Sequence, residues 1–118
     1  MNINPVAKSR SMGTATADGN TLVYAGIGRF LRIIASVQAT ARWLKLYDKA
    51  TAPVFGDTPI LSIYIPAGQT VVLDFGAGLE VVLGLGYRMS VNGIDNDATY
   101  TAFAANDSSI TTLYQVGA

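Results

Sequence analysis

Residues Trp43–Phe75 read WLKLYDKATAPVFGDTPILSIYIPAGQTVVLDF, three strand-like stretches joined by two loops rich in proline and glycine. β-Branched and aromatic residues fill the stretches and turn formers fill the gaps, which predicts consecutive short strands of a β-sandwich. In Pro66-Ala67-Gly68 proline sets its own φ and glycine accepts a positive one, so a tight reversal is expected there. The longer loop, Thr51–Pro59, carries Pro53, Gly56 and Pro59 and sets Val54 and Phe55 at its tip.

The same punctuation continues in both directions. Runs at Leu22–Ala25, Phe30–Gln38, Arg42–Asp48, Ile60–Ile65, Val71–Phe75, Leu79–Leu83, Leu85–Val91, Tyr100–Ala104 and Ile110–Val116 are separated by glycine or polar loops. They predict an all-β, antiparallel, jelly-roll-like sandwich of about eight or nine short strands over residues 21–118. Phe30–Gln38 is amphipathic at helical spacing too, but its β-branched content and missing cap favour a strand. Period-2 alternation assigns the faces. Leu31, Ile33, Ala35 and Val37 share one side, as do Leu44 with Leu46, Leu61 with Ile63 and Ile65, Val71 with Leu73 and Phe75, and Leu85 with Tyr87, Met89 and Val91. Trp43, Lys45, Tyr47 and Tyr64 then fall on outer faces. Residues 1–20 are polar, lack either period and carry Lys8, Arg10 and Asp18, which predicts an extended, unpacked N-terminal arm. It is either terminal disorder or a strap that orders against a neighbouring subunit.

At 118 residues the chain fits a single domain with a core of its own. Eight basic and eight acidic residues leave no net charge, hence no long-range field toward nucleic acid or an anionic membrane. Neutral, sparsely charged proteins tend to associate. No apolar run approaches the length of a membrane span, and the N-terminus lacks the apolar core of a secretory signal.

Without histidine or cysteine, the usual nucleophile–base systems and thiolate metal sites cannot be assembled. Asp95 and Asp97 in the loop Asn92–Thr99 suggest oxygen ligands for a hard cation, but Tyr100 and Asn106 stand where a calcium loop needs glycine and glutamate. A solvated turn opened by the left-handed preference of Asn92-Gly93 fits better. Carboxylates such as Asp74 and Glu80 read as outward strand positions instead of a glycosidase pair. Gly26-Ile27-Gly28 and Gly84-Leu85-Gly86 lack the third glycine and distal acid of a dinucleotide site and read as strand ends or bulges. No catalytic residue, cofactor or metal is expected. The candidate residues are those for partner contact: Lys8 and Arg10 on the arm, and Trp43, Tyr47, Val54, Phe55, Tyr64, Tyr100 and Phe103, large side chains on outer positions that form either a second core layer or a binding surface.

WLKLYDKATAPVFGDTPILSIYIPAG, the glycine-rich strands after it and AANDSSITTLYQV together resemble small β-sandwich structural proteins of tailed bacteriophages. Lys45-Leu46-Tyr47-Asp48-Lys49-Ala50 and Ile65-Pro66-Ala67-Gly68 are the most specific pieces of the likeness, which spans Leu31–Val116. It implies a virion protein, assembled in the bacterial cytoplasm, that decorates or cements a phage head by bridging major capsid subunits as a homo-oligomer, a trimer or a dimer. The alternative it leaves open is a carbohydrate-binding or structural module of a head fibre, tail or neck.

Overall fold

Eight strands form in the computed structural model, which describes residues 6–12, 21–54, 56–94 and 107–117. They are β1 (Val6–Met12), β2 (Thr21–Ala25), β3 (Gly28–Val37), β4 (Arg42–Asp48), β5 (Leu61–Ile65), β6 (Thr70–Val81), β7 (Gly84–Ser90) and β8 (Ser108–Val116). Pairing is nested around the β4–β5 loop. β4 pairs with β5, β3 with β6, β2 with β7 and β1 with β8, always antiparallel. Rolling this ribbon sends alternate pairs to opposite sheets. β3–β8 and β4–β7 then close two four-stranded layers, A in the order β1-β8-β3-β6 and B in the order β2-β7-β4-β5. This is an eight-stranded jelly roll.

Inward residues of both layers make one core. Phe30, Ile33, Ala35 and Val37 of β3 and Ile110 of β8 meet Leu44 and Leu46 of β4, Ile65 of β5 and Leu85, Tyr87 and Met89 of β7. Burying each large apolar side chain contributes roughly 1.5–3 kcal/mol. The phases expected from alternation hold for β4, β5 and β7 through Met89, whereas Val91, expected inward, lies past the end of β7 and is exposed. In β3 they slip once, because a bulge between Phe30 and Arg32 buries Phe30 and leaves Leu31 half-buried.

Two boundaries differ from the sequence reading. Val71–Phe75 and the first part of Leu79–Leu83 are one strand, β6, which ends at Val81 and is bent at Gly76 and Gly78, whose φ values of 61° and 119° permit a bulge without a chain reversal. Part of the supposed arm is annexed to the fold: Val6–Met12 pairs residue for residue with β8, so these seven residues are extended but not unpacked. The expected strand Tyr100–Ala104 lies outside the described residues.

The reversal at Pro66-Ala67-Gly68 forms as read, with Gly68 at φ 74° and the Gln69 amide donating to the Pro66 carbonyl at 3.2 Å. Gly93 does not adopt the left-handed turn expected of Asn-Gly. It is required for space, since a Cβ there would stand 2.6 Å from Cε2 of the Trp43 indole.

Candidate contact surfaces

The two central strands of layer B, β4 and β7, are buried on both faces. Every residue of β7 is buried, although Tyr87 and Met89 face the core while Arg88 and Ser90 point the other way. Lys45 and Arg88 are directly opposite each other on that outer side and wholly buried. Two loops provide the cover. In the β4–β5 connection, Pro53 lies against Gly86, where a Cβ would meet its ring at 3.0 Å. In the segment after β7, the Ile94 carbonyl accepts a 2.6 Å hydrogen bond from Lys45 Nζ. Cross-strand like charges repel in water; here the Ile94 carbonyl faces Lys45, and the β4–β5 loop brings the charge of Asp57 near Arg88.

The β4–β5 loop is latched by charge. Lys49 Nζ donates to Asp57 Oδ2 at 2.5 Å, and the same oxygen accepts from the Val54 amide at 2.9 Å. Burial alone would raise the Asp57 carboxyl, but hydrogen bonds from Lys49 and Val54 and the charges of Lys49 and Arg88 outweigh it and hold it below its ordinary value.

Beyond the latch the cover ends in an aromatic pair. Trp43 and Tyr64 are cross-strand partners on β4 and β5, their ring centroids 5.3 Å apart and inclined at 54°. The Gly93 backbone braces the indole from one side. Tyr64 is 49% exposed, with exposed Ile94 in the loop alongside.

A second apolar surface lies at the end of the sandwich where the β2–β3 and β6–β7 turns run side by side. The Gly26 amide donates to the Leu83 carbonyl at 2.8 Å, and the Gly117 amide to the Ile27 carbonyl at 2.7 Å. Ile27, Val82 and Leu83 stand exposed on these turns. Asp48, at the end of β4, fixes the β6–β7 turn by accepting from the amides of Val82, Leu83 and Gly84, at 2.7 Å from Leu83. Burial pushes the Asp48 carboxyl up, yet these three amides together bring it below its ordinary range. Gly84 has no room for a side chain, because a Cβ would collide with the Lys49 and Tyr24 carbonyl oxygens.

Of the residues proposed for contact, Trp43 and Tyr64 come together and Val54 stands exposed on its loop. Tyr47 is corrected: it is 1% exposed, packed in the second core layer beneath the loops. Lys8 and Arg10 occupy strand positions opposite Leu113 and Thr111 of β8. Phe55, Tyr100, Phe103 and Asp95–Thr99 of the polar loop lie outside the described residues. Among the described residues no three acidic side chains gather as a metal site would require. The sequence reading missed Ile27, Val82 and Leu83. Their signal was apolar residues directly beside glycine, in Gly26-Ile27-Gly28 and Val82-Leu83-Gly84, where a turn leaves little room for burial.

Compared with known proteins, the chain matches no family model, no curated protein and no solved structure. The class defined by its topology is the antiparallel jelly roll.

Proposed function

We propose that this jelly roll is a virion structural protein of a tailed phage, a decoration or cement protein that binds the major capsid protein and bridges its neighbouring subunits. The observation that carries the reading is the apolar end formed by Ile27, Val82 and Leu83. Three large side chains are held in water on turns pinned by backbone hydrogen bonds and by Asp48, so they lose little entropy on binding a flat protein surface. The resemblance of Leu31–Val116 to phage structural proteins supplies the partner class. Repetition over a shell would turn a modest contact into high occupancy.

Purified protein mixed with expanded empty heads should co-sediment, and Val82→Asp with Leu83→Asp should abolish binding while leaving the circular dichroism spectrum unchanged. Absence of wild-type protein from the pellet sinks the reading. The ring pair Trp43–Tyr64 favours a second role, glycan binding by a fibre or tail module, because sugar C–H groups stack on aromatic faces. Glycan-array binding lost in Tyr64→Ala, with head binding absent, would replace the first reading with the second.

A further inference from the structure

We propose that two copies of this chain join edge to edge through the first half of β6, merging their A layers across a two-fold axis at Val72. Every open sheet leaves unpaired N–H and C=O groups at its edges, and folds blunt these edges with short strands, bulges, proline or lysine. Three of the four edges here are blunted in these ways. β5 has five residues set between Pro59 and Pro66, β2 has five with a register shift between Leu22 and Tyr24, and β1 contains Lys8 and Arg10.

β6 is different. It is the longest strand, and among the described residues it has a neighbour on one side only. From Thr70 to Asp74 its register on β3 is unbroken, and the bulge at Gly76 and Gly78 comes after that stretch. No proline, lysine or arginine interrupts it. Val71, Leu73 and Phe75 point at the core but remain only half-buried, so among the described residues nothing closes the sandwich on this side.

The occupant follows from what the edge would place against itself. A two-fold axis normal to the sheet keeps like faces together, so only alternate registers are allowed. Centred on Val72, the pairing sets Val72 against its own copy, Thr70 against Asp74 and Val71 against Leu73. Centred on Leu73 it would oppose Val72 to Asp74, and centred on Asp74 it would oppose carboxylate to carboxylate. The Val72 register alone matches apolar to apolar and hydroxyl to carboxylate on every row. It also explains an exposed apolar pair on the outer face of layer A. Val72, 56% exposed, is opposite Ile34 on β3, 36% exposed, and dimerisation would complete a continuous row Ile34–Val72–Val72–Ile34. With no net charge, two copies have no long-range repulsion to overcome. Main-chain pairing supplies affinity and the alternate side chains supply register, as in other strand-addition contacts.

Light scattering behind size exclusion should give the mass of a dimer, and Val72→Asp, which sets carboxylates against each other, should halve that mass. The cysteine-free chain allows a second reading independent of folding in that variant. Directly opposed Cβ atoms in an antiparallel pair stand about 4.5–5.5 Å apart. Val72→Cys should therefore form a covalent dimer under mild oxidant much faster than Val82→Cys, which is equally exposed but at the end of the sandwich. A wild-type monomer overturns the proposal. So does a dimer whose Val72→Cys variant crosslinks no faster than Val82→Cys. Neither result touches head binding, which is scored separately.

Discussion

The outer faces of the two layers start from similar sequence and end in opposite states. On layer A, Arg32 pairs with Asp74 at 2.8 Å and Ser36 with Thr70 at 2.8 Å, both pairs exposed. On layer B, Lys45 and Arg88 occupy the corresponding kind of position, outward and alternating with core residues, and are sealed from water. The strands do not make this difference. The described residues of 49–60 and the segment Val91–Ile94 fold back over layer B, with Asp57 and the Ile94 carbonyl as anchors. A strand's polar face is thus a second core wherever a neighbouring connection is long enough to cover it and brings its own oxygens.

The most forceful way to break the comparison is to remove a cation from each face. Arg88→Ala leaves a cavity and strips Asp57 of a compensating charge, and should destabilise the fold by about 3–5 kcal/mol. Arg32→Ala, whose ion pair is solvated, should stay within about 0.5 kcal/mol. Urea titrations of the two variants decide this; equal costs would mean that burial of layer B's outer face has no energetic consequence.

Glycines give the next contrast. Gly84→Ala, at the entry to the covered face, meets two backbone oxygens that cannot swing away and should cost about 3 kcal/mol. Gly76→Ala, on layer A, has open space around it and should cost about 1 kcal/mol, from its positive φ alone. Thermal melts of both should keep that order.

Fluorescence tests the cover directly, since Trp43 is the only tryptophan. Lys45→Met removes the donor to Ile94 and frees the segment that holds Gly93 against the indole. Its emission should shift to the red, whereas Arg32→Ala should leave the spectrum unchanged.

The smallest effect is on acid stability. Asp48 and Asp57 have folded values below the reference 3.8, so the unfolded chain binds more protons in that range. Their stabilisation is complete above the unfolded value of about 3.9 and is lost as pH falls through the lower folded values. Asp48→Asn should therefore flatten the acid limb of the stability curve. Asp74, held low by the Arg32 hydrogen bond but fully exposed, should contribute a part that disappears in high salt.

Much of the fold was legible because it depends on local chemistry. Arg42–Asp48 appears as a strand with unchanged bounds, and the Pro66-Ala67-Gly68 turn forms as its residues require. The contact surfaces were less legible. Tyr47 and Tyr64 look alike in an alternation pattern, yet one lies under a loop and the other on an edge strand. Ile27 is far in the chain from Val82 and Leu83, and its turn comes beside theirs only because the nested pairing stacks the two.

By itself, then, the sequence determined the all-β class, strands such as β4 and the inward faces of β4 and β5, because period and composition act over a few residues. The tertiary structure alone decided the nested strand order, the burial of Lys45 and Arg88 and the exposed edge at Val72. Those depend on which segments, tens of residues apart, come to lie against each other, and no local pattern encodes that.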